Sequence, residues 1–286
     1  MPLIRWHPAP SVRATAVLVA AVLTTAGTGT FAADKGPTEL QLRTAVYVSQ
    51  FVNQLSYLVA DEQLQFREDS KKVTSDFLLV RDPATPKELL TFRDIRTVNG
   101  TPVESKQDRL LEILQSPVDN AIDRAKRLSA TSRDTVPSMF NPLFAIAFLQ
   151  TEYLSRFKVD ERDAPVREWP RNTKMLAFVE TAKPTLFRTG EFNDIDVPTK
   201  GTAWVERDTG RVLQTELLIR AGSRVTTLTT TFAFDETQQM FVPTRMTTAK
   251  PDAWATYTNY RRFRVSVQEK LQTPQAPQTP KVPPAP

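Results

Sequence analysis

Residues 201–236 read GTAWVERDTGRVLQTELLIRAGSRVTTLTTTFAFDE, and this stretch decides the fold. Side chains alternate between the two faces of a β-strand, so residues two or four positions apart share a face. The apolar side chains of two predicted strands each share one face in this way: Leu213, Leu217 and Ile219, then Leu228, Phe232 and Phe234. The opposite face of the second strand carries threonines: Thr227, Thr229 and Thr231. The stretch therefore predicts a sheet with one apolar side and one polar side.

Turn residues divide the chain around this stretch into further strands. Asp208-Thr209-Gly210 and Ala221-Gly222-Ser223 are typical of tight turns, which make neighbouring strands antiparallel. The predicted strands cover residues 153–160, 173–179, 185–189, 201–206, 211–220, 223–235, 240–247 and 255–267. Short strands at such regular spacing are typical of an antiparallel sheet that curls toward a barrel or half-barrel.

An amphipathic helix is predicted ahead of the sheet, from residue 38 to about residue 62. Its apolar side chains recur every three or four residues: Val48, Phe51, Val52, Leu55, Leu58 and Val59. Thr38 and Gln41 have the spacing of a capping box. Residues 73–80 then form a predicted strand, and Asn99-Gly100 predict a hairpin turn.

A helical section interrupts the strands. Residues 108–114 and 118–128 show helical spacing, and residues 139–149, MFNPLFAIAFL, form the most apolar stretch after the N-terminus. Pro142 suits the first turn of a helix there. The shortness of this stretch favours a core helix, and a lipid-facing or lid helix is the alternative.

These elements predict an α+β fold, in which a curved antiparallel β-sheet, or half-barrel, holds helices in its concave face. A curved sheet with one apolar face does not fill its own concavity, so the helices must fill it, and an imperfect fit leaves a lined cavity. The candidate cavity residues are Phe51, Leu55, Phe144, Phe148, Leu213, Leu217, Phe232 and Phe234. A dry, packed core made by the same residues is the alternative.

The two ends of the chain differ from this domain, which we place at residues 34–267. A positive start, the apolar run 14–26 and the small residues up to Ala32 predict a signal peptide at 1–32, with an uncleaved anchor as the alternative. Without a retained anchor, no membrane span is expected. Residues 268–286 are rich in proline and glutamine and predict a disordered tail. We therefore expect a periplasmic or secreted protein.

Composition limits the chemistry of the mature protein. The chain has no cysteine, and its one histidine, His7, lies in the predicted signal peptide, so thiol and imidazole nucleophile systems are excluded. The same absence removes the usual zinc ligands, and we expect no metal and no cofactor. Removing residues 1–32 lowers the net charge from +5 to +3, which gives no electrostatic reason to expect nucleic acid.

The remaining signals for an enzyme are weak. Ser155 and Lys158 have the spacing of serine–lysine acyl enzymes, but they fall in a predicted strand and no companion motif follows. Two groups of acids could offer oxygen ligands to calcium, but neither has the order of a calcium-binding loop: Asp160, Glu161 and Asp163, and Glu191, Asp194 and Asp196. A hydrolase that uses two carboxylates remains the third alternative, and we expect a protein that is not an enzyme.

The unit GTAWVERDTGRVLQTELL, with the threonine-rich strand ending in TFAFDE and then FVPTRMTT, resembles the C-terminal strands of the periplasmic lipoprotein-carrier superfamily, which includes LolA, LolB and RseB-like proteins. The resemblance covers about residues 200–265. It implies a curved sheet wrapped around helices and an apolar cavity. No ligand-contacting residue of the family has a matching position here.

The resemblance and the composition together favour binding over catalysis. We expect a carrier or sensor of an apolar or acylated ligand, such as a lipid or a lipoprotein. The alternative is a structural or interaction module of the cell envelope, with a closed core and a surface or tail that meets a protein partner.

Overall fold

The computed structural model describes residues 36–56, 58–81, 89–103, 136, 140–189, 195–221, 224–249 and 252–262. It contains a sheet whose strands show alternating burial along the chain. Within these residues the strands are β1 (Leu58–Phe66), β2 (Lys72–Arg81), β3 (Leu89–Val98), β4 (Thr101–Pro102), β5 (Phe157–Asp163), β6 (Thr173–Glu180), β7 (Arg188–Thr189), β8 (Ile195–Asp196), β9 (Thr199–Glu206), β10 (Val212–Ala221), β11 (Arg224–Asp235), β12 (Met240–Thr248) and β13 (Ala253–Arg262). The helices are α1 (Glu39–Leu55), α2 (Phe144–Ala147) and a 3-10 helix (Thr151–Arg156).

Eleven of the described strands form one antiparallel sheet in the order β4-β3-β2-β1-β13-β12-β11-β10-β9-β6-β5. The strands from β9 to β13 are neighbours in chain order, which confirms the predicted antiparallel meander. β1 pairs with β13, so the last described strand lies beside the first. β7 and β8 form a separate pair. The predicted fold class, a large curved antiparallel sheet with few helices, is confirmed.

Some predictions lie outside the described residues. They are the signal peptide at 1–32, the helical stretches 108–114 and 118–128, Gly222 and Ser223 of the predicted turn between β10 and β11, the last part of the final predicted strand at 263–267 and the tail at 268–286.

Helix α1 begins as its sequence predicts. The Oγ1 atom of Thr38 accepts from the Gln41 amide at 3.3 Å, and Oε1 of Gln41 accepts from the Thr38 amide at 2.7 Å, which completes the capping box. The helix ends at Leu55 instead of about residue 62, because Ser56 has extended backbone angles (φ −58°, ψ 133°). The apolar residues that follow belong to β1, where alternation replaces helical spacing.

One end of the sheet supports α1 through main-chain contacts. Nη1 of Arg43 donates to the carbonyl of Arg207 at 2.7 Å, in the turn between β9 and β10. In the same turn Gly210 has φ +69°, and a Cβ there would lie 2.6 Å from the backbone nitrogen of Thr44. A glycine is therefore required where the turn meets the helix.

Two predicted strands differ in the structure. Residues 151–156 form the 3-10 helix, so the strand predicted at 153–160 begins only at Phe157. The strand predicted at 185–189 is reduced to β7, because Thr185 instead bonds to Asp196 and Val197. The side chain of this threonine takes part in a turn that links the two sides of the β7–β8 pair.

Two of the predicted inward-facing residues are not buried. The register between β9 and β10 shifts between Val212 and Gln214, and this bulge places Val212 in the core while Leu213 is only half-buried. Phe234, next to the end of β11, is 46% exposed and contacts Phe241 (ring centroids 5.8 Å apart). The helices therefore leave this end of the sheet uncovered.

Gly201 lies where two parts of the sheet approach closely. A Cβ at this position would contact the carbonyl oxygen of Glu216 and lie 2.6 Å from Cζ of Phe178. We expect Gly201→Ala to lower the free energy of unfolding by about 1–3 kcal/mol through overpacking, measured by urea denaturation. Gly36→Ala is the matched control, because no atom lies within 4 Å of the added Cβ. Equal stability of the two variants would contradict this packing.

Candidate functional site

An aromatic cluster occupies the concave face under α2 and the 3-10 helix. The Phe148 ring lies 5.1 Å from Phe157, 5.5 Å from Phe178 and 5.1 Å from Phe187, and Phe144 contacts Phe187 at 5.1 Å, all measured between ring centroids. Most of these contacts are edge-to-face, the arrangement that aromatic rings favour. Helical residues and strand residues therefore share one apolar site.

A second group of rings joins α1 to the same face. Phe51 packs edge-on against Phe232 of β11, with centroids 5.8 Å apart, and Tyr47 stacks on Phe51 at 6.0 Å. Burial raises the pKa of Tyr47 to about 12, although the charge of Arg211 opposes the shift. Helix α1 is thus fixed to the sheet by its apolar side.

The structure brings together six of the eight predicted cavity residues. The buried core contains Phe51, Leu55, Phe144, Phe148, Leu217 and Phe232. Leu213 and Phe234 do not join them, because a bulge displaces the first and the uncovered end of β11 exposes the second. Whether the six hold a ligand stays a prediction.

The spaces between the helices and the sheet are small in the described part of the molecule. One void of about 10 Å³ lies between α1, α2, the 3-10 helix, β5 and β6. Another, beside Tyr47 and Phe232, has a volume of about 0 Å³. A single water needs about 10–15 Å³. At these two places the side chains of the helices and the sheet therefore leave room for at most a single water.

A buried ion pair interrupts the apolar surface. Arg93 of β3 donates from Nε to Oε2 of Glu62 at 2.6 Å and from Nη2 to Oε1 at 2.9 Å, a two-point contact. Ser75 donates to the same carboxylate at 2.7 Å. The side chain of Arg93 is 8% exposed and that of Glu62 is 0% exposed. Arg93 also donates to the main-chain carbonyl of Phe140, which joins the sheet to the segment that leads into α2.

Aromatic rings enclose this pair. The Arg93 guanidinium lies 5.1 Å from the centroid of Phe77, and Phe77 contacts Tyr257 of β13 at 5.3 Å. The Tyr257 hydroxyl has no hydrogen-bond partner of good geometry among the described residues. It nevertheless lies close enough to Glu62 and Arg93 for their charges to influence its pKa. Burial, and then the charge of Glu62, raise the pKa of Tyr257 well above its usual value.

This pair was not predicted from the sequence. The sequence does contain an indication of it, because Glu62 lies between Ala60 and Leu64 on the buried side of β1. A charged residue in the apolar register of a strand requires a buried partner. The identity of that partner depends on strand pairing, which places Arg93 two strands away.

A charge network lies on the opposite face of the same strands. Arg96 and Arg261 each contact both Asp61 and Asp76. Burial would raise the pKa of Asp61, but hydrogen bonds from Asn259, Arg96 and Arg261 outweigh it and lower the pKa to about 2. The arginines are nearly half exposed, so solvent weakens each pair.

The signals considered for catalysis form no site among the described residues. Ser155 lies in the 3-10 helix instead of a strand, and Lys158 is exposed on β5. Asp160 pairs with Arg162, and Asp163 pairs with Lys174 at 2.7 Å. No group of three or more potential metal ligands occurs in the described ranges.

The structure describes only one of the three residues in the second acidic group. Glu191 and Asp194 lie outside the described residues, whereas Asp196 accepts from the Thr185 amide at 2.9 Å. That hydrogen bond is the main cause of a lowered pKa at Asp196. Asp196 therefore supports the local turn.

No family model and no curated protein matches the chain. Among solved structures, the chain is similar to an outer membrane lipoprotein-sorting protein domain from Vibrio parahaemolyticus, with 14% identity, a TM-score of 0.39 and coverage of 80% of this chain and 94% of that chain. It is also similar to a DUF1329 family protein from Desulfovibrio piger, with 12% identity, a TM-score of 0.42 and the same coverages of 80% and 94%.

The first of these structures is a protein of the kind that the sequence pattern at 200–265 indicates. At these TM-scores neither likeness carries an argument about function, so no residue, ligand or activity is transferred from them. Within the part of the chain that the structure describes, no helix has the length and apolar character needed to cross a membrane.

We expect Arg93→Met to lower the free energy of unfolding by about 3–5 kcal/mol, because it leaves the Glu62 carboxylate buried without its cation. In the double variant that carries both Arg93→Met and Glu62→Gln, much of the lost free energy of unfolding should be recovered. Arg96→Met, on the same strand but exposed, is the control and should cost up to about 1 kcal/mol. Urea denaturation measures all three variants, and equal losses for the two single variants would contradict the buried pair.

The charge network predicts a loss of stability in acid. The folded-state pKa of Asp61 is below its unfolded value, so its contribution is present above the unfolded pKa and disappears as pH falls through the folded one. We expect the free energy of unfolding to decrease between about pH 4 and pH 2, and less steeply in Asp61→Asn. Denaturation at several pH values tests this, and an unchanged slope in the variant would refute it.

Proposed function

We propose that this chain is an exported, non-catalytic carrier or sensor of an apolar or acylated ligand, a lipid or a lipoprotein, in the periplasm or outside the cell. Its ligand would lie on the concave face, among Phe51, Leu55, Phe144, Phe148 and their buried neighbours. The observation that carries the proposal is an aromatic cluster covered by very short helical segments.

The cover over this cluster is made of weak elements. Helix α2 has four residues and the 3-10 helix has six, and no side chain of the 3-10 helix is buried. Helices of this length have almost no stability of their own. Elements with few buried contacts also open at the lowest free energy. The 3-10 helix is therefore the part of the cover best suited to move aside, because the segment before it buries Phe140, Leu143, Ile146 and Phe148 deeply.

One polar contact fixes the start of the cover. The carbonyl of Phe140 accepts from Arg93, which the buried Glu62 holds in place. At the other end of the cover, Arg156 of the 3-10 helix pairs with the buried carboxylate of Glu180 at 3.3 Å, and its carbonyl accepts from the Thr181 amide at 2.8 Å. The rings between these two ends make apolar contacts with the sheet. Ligand entry would exchange those apolar contacts for similar contacts with a hydrocarbon chain, and the exchange would require little free energy.

Binding beside the 3-10 helix would involve such a movement. The void of about 10 Å³ there holds at most a water molecule, so a ligand chain would need a wider space at this place. When no ligand is bound, the phenylalanine side chains would fill the space that the ligand occupies in the loaded protein.

A closed structural or interaction module is the second candidate, and the small size of the two voids beside α1 favours it. Its partner surface could include the exposed side of α1, where Leu42 is 47% and Val46 is 56% exposed. Deleting residues 268–286 would test the tail, because a tail that docks to a partner should be needed for recovery of that partner from envelope extracts.

Ligand capture tests the proposed carrier function. We expect native mass spectrometry of the exported protein to detect a co-purifying amphiphile, and the purified protein to extract pyrene-labelled phosphatidylcholine from vesicles. Phe148→Leu should change this uptake because it alters the aromatic cluster, whereas Phe234→Leu, at the uncovered end of β11, should leave it unchanged. A protein that purifies without amphiphile and extracts no lipid would exclude the carrier function.

A further inference from the structure

The outer face of the sheet, opposite to α1 and the aromatic cluster, carries two rows of polar side chains. Each row joins residues that pair across neighbouring strands, so its members stand side by side at the strand spacing of about 4.8 Å. The first row crosses six strands from β9 to β1: Trp204, Gln214, Thr231, Arg245, Thr256 and Gln63. The second row lies beside the first, two residues away along each strand: Thr202, Glu216, Thr229, Thr247, Trp254 and Gln65.

The two rows offer hydrogen-bonding groups to a ligand. Every member of the rows is half-buried or exposed, and neither row contains an aliphatic side chain. A threonine hydroxyl both donates and accepts. The hydroxyls of Thr229, Thr247 and Thr256 have no hydrogen-bond partner among the described residues. They are therefore available to a ligand that carries hydroxyl groups of its own.

Arg245 is the one cation in the two rows. It is exposed, and it has no ion-pair partner in the part of the chain that the structure describes. Thr231 and Thr256 flank it on the neighbouring strands, and Thr247 follows it on the same face of β12. Trp254 pairs with Thr247 and is thus a diagonal neighbour of Arg245. Since a guanidinium binds a carboxylate at two points, this group of side chains fits a carboxylate that is surrounded by hydroxyls.

The charge around the rows is positive. Lys200 and Arg220 are exposed on the same face beyond the second row, and neither has an ion-pair partner among the described residues. Glu216 is the one acid within the rows. Beyond the first row, Glu206 pairs with Arg211 at 3.2 Å and adds no net charge. The face therefore complements an anionic ligand of low charge density.

This combination favours an acidic polysaccharide over other anionic partners. Nucleic acids and anionic membranes carry closely spaced charges and attract clusters of lysine and arginine, whereas the first row has one cation in six positions. A protein partner buries an apolar core at its interface, and the rows have no aliphatic side chain for such a core. A uronic acid unit presents one carboxylate, several hydroxyls and an apolar ring face, which correspond to the arginine, the threonines and the tryptophan.

We propose that the outer face of β9–β13 and β1 binds an acidic polysaccharide built of uronic acid units. Arg245 binds a carboxylate of the chain, and the threonines of the two rows bind its hydroxyl groups. A chain that lies along a row meets a new side chain at each strand. This inference goes beyond the proposed carrier function and does not depend on it, because it concerns the opposite face of the sheet.

Three polymers test the class of ligand: polygalacturonate, its fully methyl-esterified form and polyglutamate. The ester keeps the sugar rings without their charge, and polyglutamate keeps the carboxylates without the rings. By surface plasmon resonance on the immobilised polymers, we expect the exported protein to bind polygalacturonate at least tenfold more tightly than either control. Equal binding of the ester would refute the role of charge. Equal binding of polyglutamate would indicate attraction between charges without recognition of sugar, and would overturn the proposal.

Variants of Arg245 assign the binding of the carboxylate to one side chain. Arg245→Gln should weaken the binding of polygalacturonate about tenfold, the effect of a hydrogen bond to a charged group. Arg262→Gln removes the same charge from an exposed position at the end of β13, outside both rows, and should bind as the wild type does. Equal affinities of the two variants would overturn the site at Arg245.

Variants of the threonines test the contacts with the sugar hydroxyls. The double variant Thr247→Val and Thr256→Val keeps the shape of the face and should weaken polygalacturonate about threefold to tenfold, with no change for polyglutamate. Thr237→Val, in the turn between β11 and β12, is the control. Circular dichroism and thermal melting verify that the variants fold. Wild-type affinity in the double variant, or tighter binding of the protein to phosphatidylglycerol vesicles than to polygalacturonate, would overturn the proposal and leave the carrier function intact.

Discussion

The constraint on which the structure depends is the burial of one face of a curved sheet. The buried side chains of β6, β9, β10 and β11 include the apolar core of this face together with several threonines and Glu180, and a sheet that curves toward them leaves a concave space that its own strands do not fill. Helix α1 fills part of this space through Phe51, and α2 with the 3-10 helix fills another part through Phe148. The helices are held in place mainly by their apolar contacts with the face of the sheet that they cover.

The register of the first strands is fixed by charge as well as by apolar burial. Asp61 and Glu62 are adjacent in β1 but point to opposite faces, one into the exposed network and the other into the buried pair with Arg93. A slip of one residue would bring Asp61 into the core and Glu62 into solvent. The same strands therefore carry a weak network outside and a strong pair inside, and the pair alone connects to Phe140 and the cover.

The carrier and the closed module differ in one free energy, that of moving the cover. Both need the same aromatic residues for stability, so burial alone does not distinguish them.

The sequence by itself determined the strands from 201 to 248, the capping box at Thr38 and the two-sided character of the sheet, because turns, caps and alternation depend on neighbouring residues. It also indicated six of the core residues on the concave face. Only the tertiary structure decided the pairing of β1 with β13, the partner of Glu62 and the bulge that displaces Leu213. These depend on residues far apart in the chain, and local patterns do not encode which distant strand or side chain will meet them.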